Sequence, residues 1–448
     1  MTFAAKQCRI VRGGRVVLPS ATTAADVVIE GERIAAIEPY GSARAEYVID
    51  AGERLVLPGV VDSHVHTRDP GQTDKEDFRS ASCAAARGGI TTMMAMPNTV
   101  PPIDSAAAFD LAAQAGERSI VDFALQALAH PSSIENIEAL AARGAVSFEL
   151  FLGGGPQTLI TRDRAVQSAL FAAVAAVGGI MGVYPDDSEL VALLDCGGDA
   201  QAIAHAHPAE IEAGALLGAV ALAASKGCCV HVRQVSAALT AMVIGKLRRH
   251  EVRLTAEVTP HHLLLTMDDF ERFGPEGLIM PPLRGASDVE ALWKALAAGD
   301  IATIGSDHAP HHRDEKNAGR CDLRKAPPGF PGLETFLPAV LTQWRRRGLS
   351  DQAFVRAVSQ TPANLFGVSD RKGTIAVGRH ADLVIVDDDV DEAIDCNKFL
   401  SKAKYSPFHG RRVTARVDLT MVRGEVVYAD GAVDTHAQRG RLLRRNRN

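Results

Sequence analysis

Apolar and polar positions along the 448 residues change rhythm three times. From about Arg9 to Ile37, short β-type runs (Ile10-Val11 and Val27-Val28-Ile29) are broken by Gly13-Gly14 and by Glu30-Gly31-Glu32. Such runs between turn residues predict antiparallel hairpins, a small sheet outside the main core. From about Pro58 to Gly367, apolar strand-like runs alternate with Ala-rich segments of helical character: Ser105 to Ala115, Ile134 to Ala142, Glu210 to Ala224 and Val289 to Ala298. That βα rhythm predicts a (β/α)8 TIM barrel rather than an open doubly wound sheet, because no Gly-rich dinucleotide fingerprint follows the first strand. After Gly367 the β pattern returns in Lys372 to Ile375, Ala381 to Val386, Val413 to Leu419 and Met421 to Tyr428. The expectation is an α/β chain in which residues 1–57 and 368–448 build one small β-sandwich from both termini, with the 58–367 barrel inserted between them.

Composition narrows the function classes. Hydrophobic residues make up 46% and charged residues 23%, as in a globular protein, and the net charge of −6 argues against a nucleic-acid binder. The one basic cluster, Arg439 to Arg445, reads as a solvated, frayed terminus. No apolar stretch of transmembrane length and no signal-peptide h-region stand out, so a cytoplasmic protein without membrane partner is expected. Seven cysteines spread from Cys8 to Cys396 without a CxxC pair argue against a disulfide framework or a Cys-ligated zinc.

Candidate chemistry gathers at strand ends. The run Leu55 to Asp62 leads into His64-Val65-His66, and the run from Ile301 to Gly305 leads into Asp307-His308-Ala309-Pro310-His311. Residues i and i+2 of a strand share a face, so His64 and His66 can meet one metal ion, and Asp307 can join them. Taken alone, His-x-His reads equally well as two ordinary polar residues. Other strand ends carry Arg68, Asn98, Glu149 before Gly153-Gly154-Gly155, Tyr184, Arg233-Gln234, Glu257 and His261-His262. His205 and His207 also have His-x-His spacing but read as loop residues, and Asp186-Asp187 reads as a helix cap.

The segment Pro58-Gly59-Val60-Val61-Asp62-Ser63-His64-Val65-His66-Thr67-Arg68-Asp69-Pro70-Gly71 resembles the first-strand motif of the dihydroorotase, hydantoinase and allantoinase branch of the amidohydrolase superfamily. Met96-Pro97-Asn98-Thr99, Pro260-His261-His262-Leu263, Pro281-Pro282-Leu283-Arg284, Asp307 to His311, Gly332 to Thr335, Thr361 to Asn364, Gly378 to Leu383 and Ser406 to Gly410 follow in the order seen in dihydroorotases. The resemblance covers almost the whole chain. It implies a metal-dependent hydrolase that opens a cyclic amide, ureide or imide, assembled as a dimer or tetramer.

The resemblance also implies a two-metal site, and this chain departs from it. The bridging carboxylated lysine is replaced by Glu149, and the two histidines of the second ion by Tyr184 and Gln234. His64, His66 and Asp307 remain, and with Glu149 they suit a single Zn2+, or Mn2+, with water in an open position. In that reading Asp307 moves the proton, while Tyr184 and Gln234 either donate to the oxyanion or only fill the emptied place. Arg68 and Asn98 match positions that grip a substrate carboxylate and His311 matches another substrate-facing position, whereas Met280 replaces an asparagine. Two alternatives stand beside this one: a catalytically silent scaffold for a partner such as aspartate carbamoyltransferase, and a one-metal deaminase, lactonase or phosphoesterase.

Overall fold

The computed structural model describes residues 8–250, 252–434 and 440–446. Strands β1 (Cys8–Val17), β2 (Thr22–Glu30) and β3 (Arg33–Pro39) form the expected antiparallel meander, and β4 (Tyr47–Pro58) lies parallel to β1. Next come β5 (Val60–Val65), β6 (Ile90–Ala95), β7 (Asp122–Leu125), β8 (Ala127–Leu128), β9 (Phe148–Phe151), β10 (Ile180–Tyr184), β11 (Cys229–Val232), β12 (Leu254–Val258) and β13 (Thr303–Ile304). The chain ends with β14 (Leu383–Asp387), β15 (Glu392–Ala393), β16 (Arg412–Val413), β17 (Arg416–Val422), β18 (Glu425–Ala429) and β19 (Ala432–Val433).

Both ends of the chain meet in one sheet of order β19-β18-β17-β14-β4-β1-β2-β3. The strands expected to build one small β unit from both termini are joined in a single continuous hydrogen-bonded sheet. β4 is its hinge point, pairing with β1 on one side and β14 on the other, and Val11, Val27, Ile29, Val56, Leu383 and Ile385 form its own core. The segment Lys372 to Ile375, expected as a strand, is a turn region: the buried Lys372 ammonium lies 2.6 Å from both Asp122 Oδ2 and Asp382 Oδ2 and ties it to β7 instead. The basic tail is also not frayed over its described part. Leu443 is buried, its N–H donates to Phe123 O at 2.7 Å, and Arg441 pairs with Glu32, because an apolar pair of leucines gives the tail something to bury. Arg439 lies outside the described residues.

The parallel strands between these ends form two sheets, β5-β6-β7 and β8 to β13 in order, with helices between successive strands except β7 and β8, which only Gln126 separates. Strands buried along their whole length, such as β6, are the mark of a sheet covered on both faces. The helices begin where expected: Ser105 and Asp187 cap Ala106–Gly116 and Ser188–Leu194. His205, expected on a loop, lies in the helix Ala200–Ala206, with His207 just beyond its end. The stretch Ala200–Lys226 is apolar enough for a membrane span by composition, contrary to the reading above, but it breaks at His207-Pro208 and buries Ile211, Leu216, Ala219 and Val220 against the core.

One relationship positions the site. His66 N–H donates to His308 O at 2.8 Å, and Val65 and His308 form a parallel bridge. The first and last parallel strands are therefore neighbours, and residues more than 240 positions apart share one strand-end edge.

Candidate metal and substrate site

His64, His66 and Asp307 converge at that edge, each offering a ligand atom within 4.8 Å of the others. Nε2 of His64 and Nε2 of His66 each lie 3.2 Å from Asp307 Oδ1. Ligand atoms around a tetrahedral ion with bonds of about 2.0–2.1 Å stand about 3.3 Å apart, so the spacing suits one such ion. The tautomers suit it too. His64 Nδ1 donates to Glu257 Oε1 and His66 Nδ1 donates to Asn98 Oδ1, both at 2.7 Å, which turns each Nε2 lone pair toward Asp307.

Glu149, expected as a fourth ligand, does not join the group. Its Oε1 accepts from Arg233 Nη2 at 2.8 Å and from Ser147 Oγ at 2.6 Å, and its Oε2 accepts from Arg233 Nε at 3.1 Å. A buried guanidinium thus grips both oxygens of its carboxylate. Arg233 is itself wholly buried and donates also to Glu257 Oε2 at 2.9 Å, to Ser63 O at 3.1 Å and to Gln126 Oε1. One positive charge thus balances two carboxylates inside the strand assembly. Glycines make the room: a Cβ on Gly182 would lie 2.0 Å from Glu149 Oε2, and one on Gly305 would lie 2.5 Å from Glu257 Oε2.

In the sequence Arg233 and Glu257 read only as polar residues at strand ends, without a role. The signal was present, since each is charged within or directly after an otherwise apolar run, but the pairing between them is visible only in three dimensions. His261 is a further member: its buried Nε2 lacks a hydrogen-bond partner and lies 3.9 Å from Asp307 Oδ2. His308 stands outside the group, with Nε2 3.3 Å from Glu76 Oε2 and Nδ1 accepting from Gly332 N–H.

Tyr184 and Gln234 do reach the site. The Tyr184 hydroxyl lies 2.9 Å from His64 Nε2, and its ring stacks on Phe151. Burial holds the phenol well above its ordinary pKa, so it remains a donor. Gln234 Nε2 donates to Asp307 Oδ2. Arg68, Gln234 and Asp307 all adopt left-handed backbone, with φ of 58°, 51° and 48°. Three side chains of one site held in a sparsely populated conformation mark a place where geometry is imposed on the chain.

A cavity of about 320 Å3 opens over this edge, lined by His66, Arg68, Asn98, Tyr184, Gln234, Asp307 and His311. Its lining also includes the apolar Phe151, Ile279, Met280, Pro327 and Pro328. Arg68 donates from Nε to Pro310 O at 3.1 Å and from Nη2 to His311 Nε2 at 2.9 Å. Burial and the Arg68 guanidinium depress the His311 imidazole to about 2, so it is the neutral acceptor that this bond requires. The volume suits a small ring with a substituent.

Comparison with known proteins agrees with this site. Residues 194–427 match the model of the amidohydrolase family, and residues 53–142 match the dihydro-orotase-like model. The chain is 37% identical to the L-hydantoinase of Paenarthrobacter aurescens over 95% of both chains. It is 33% identical to the dihydroorotase of Methanosarcina mazei over 97% of both. The solved L-hydantoinase (dihydropyrimidinase) from Arthrobacter aurescens superposes with a TM-score of 0.95 at 35% identity, covering 98% of this chain and 100% of that one. With its strand-end His-x-His and Asp307 in place, the chain belongs to the amidohydrolase family, on the branch of the dihydroorotases and hydantoinases.

Proposed function

We propose that this protein hydrolyses a C–N bond in a small cyclic amide, ureide or imide, using one metal ion held by His64, His66 and Asp307. The observation that carries the reading is the pair of 3.2 Å contacts that set both Nε2 atoms against Asp307 Oδ1. The relatives' names support the ring chemistry, and the Val65–His308 bridge supports reading the parallel strands as a (β/α)8 barrel with the site at its C-terminal face.

When bound, the ion would supply a water acidified enough to attack a carbonyl at neutral pH. Asp307 is the carboxylate that would take up the proton of an attacking water. The water oxygen adds to the ring carbonyl carbon, the C–N bond breaks, and Asp307 returns the proton to the leaving nitrogen. The Tyr184 hydroxyl, now pointing at His64 Nε2, is the donor placed to meet the carbonyl oxygen once Nε2 is engaged. Gln234 holds the other Asp307 oxygen. Arg68, fixed by Pro310 and His311, sits where an anionic substituent is gripped, and Asn98 spends its carbonyl oxygen on His66 and keeps its amino group for substrate.

The arrangement speaks against a silent scaffold, which would need no tautomer control of two imidazoles around one carboxylate. Metal analysis of protein purified without chelator, joined to a ring-opening panel of dihydroorotate, hydantoins, allantoin and cyclic imides, tests the proposal. One Zn2+ or Mn2+ per chain, lost in His64→Ala, with opening of at least one ring, is expected. No ring opening under any metal supplement would overturn it.

A further inference from the structure

Besides Phe151, the apolar lining of the cavity comes largely from two loops that do not share a strand or helix, around Ile279 and Met280 and from Pro327 to Gly329. What joins them is a lysine. Lys316, in the short helix Arg313–Asn317, has a fully buried side chain. Its ammonium donates to Leu278 O at 3.2 Å, to Pro327 O at 2.9 Å and to Gly329 O at 2.9 Å. Three N–H donors meet three carbonyls, so the group is fully used. Among the described residues no carboxylate lies within ion-pair distance of it. A buried cation satisfied only by backbone carbonyls is costly and is kept where the geometry it imposes is needed.

The consequences fall on the cavity. Leu278 precedes Ile279 and Met280, and Pro327, Pro328 and Gly329 complete the same wall. Gly329 N–H also donates to Leu278 O at 2.9 Å, and Ala309 N–H donates to Phe330 O at 3.0 Å. Both loops are thereby referenced to the strand end that carries Asp307. We propose that Lys316 is a positioning residue that fixes the apolar wall of the substrate cavity and thereby sets which ring substituents are accepted. This rests on the cyclic-amide reading above and extends it to selectivity: the ring taken would carry an apolar group facing Met280 and Pro327.

Burial lowers the Lys316 ammonium to about 7, with Glu276 and Glu315 opposing the shift and Arg68 adding to it. His311 is the other titratable group that feels it. Above that pH a neutral amine has two donors for three carbonyls, so the wall loosens toward alkaline pH.

The test compares wild type, Lys316→Met and Lys316→Gln on an unsubstituted hydantoin and on one bearing a benzyl group at the ring carbon. The expected result for Lys316→Met is unchanged metal stoichiometry, a KM for the benzyl ring raised about tenfold, and kcat within about threefold. Lys316→Gln, which keeps two N–H donors, should fall between. In wild type the KM ratio of the two rings should change as pH rises through 7, and this dependence should vanish in Lys316→Met. A KM ratio unchanged within about twofold in the folded, metal-replete variant overturns the proposal, as does a flat pH profile in wild type if the variant does not fold. Should wild type open neither ring, the cyclic-amide reading is in question rather than this one, and hydrogen exchange at Ile279, Met280, Gly329 and Phe330 decides. Faster exchange in Lys316→Met, or in wild type above pH 7 after correction for intrinsic rates, supports the staple; unchanged rates refute it.

Discussion

Glu257 Oε1 accepts the Nδ1–H of His64 at 2.7 Å, and Arg233 holds the other oxygen of the same carboxylate at 2.9 Å. A charge thus runs from a buried guanidinium through a carboxylate to the imidazole that faces the ion site. Although burial opposes it, Arg233 and His64 keep Glu257 ionised well below its ordinary pKa. Carboxylates behind metal-binding histidines fix ring orientation and raise ligand basicity. Glu257→Gln is expected to weaken metal affinity about 10- to 100-fold. Titration calorimetry with Zn2+ reads this directly, and an unchanged affinity would assign Glu257 to packing alone.

Arg233 balances Glu149 and Glu257 where none of the three is exposed. Arg233→Met would leave two buried carboxylates uncompensated and cost about 3–5 kcal/mol. Removing Glu149 as well, in Arg233→Met/Glu149→Leu, should recover part of that loss. Denaturant unfolding of the single and double variants measures it, and equal stability of the two would refute the pairing.

Tyr184 distinguishes a donor from a space filler. If its hydroxyl meets the developing oxyanion, Tyr184→Phe lowers kcat about 100-fold or more with the metal content intact. A kcat within about twofold of wild type would show that the ring matters only for its stack on Phe151.

Arg68→Met should raise KM for a carboxylate-bearing ring at least about tenfold, the cost of a charge-assisted hydrogen bond, and leave a neutral ring nearly untouched. Equal effects on both rings would assign Arg68 to holding Pro310 and His311.

His311 bears on acid stability. Its folded pKa, about 2, lies below the ordinary value of 6.5, so between those two values the unfolded chain binds the extra proton. The stability it contributes is present above pH 6.5 and falls as pH drops, by up to about 1.4 kcal/mol per pH unit, levelling only near its folded value. His311→Asn should flatten the decline of stability below pH 6.5 by one proton's worth. Unfolding free energies between pH 4 and 7 check the slope.

Much of this was legible in the chain itself. His64-Val65-His66 after an apolar run and Asp307 after another are local patterns, and strand alternation is enough to put two imidazoles on one side. The βα rhythm and the returning β pattern after Gly367 likewise follow from short-range periodicity. Glu149 shows where that reasoning stops. A carboxylate at the right strand end looks like a ligand until Arg233, 84 positions on, is found to hold it.

Local pattern determined the elements, the polar strand ends and the family, because periodicity and motif are properties of neighbouring residues. Which carboxylate faces the two imidazoles, which is bound to a guanidinium, and which lysine ties two loops were decided only by tertiary structure. Those choices depend on pairings across the fold, where burial makes each charge bind whatever partner the packing brings within reach.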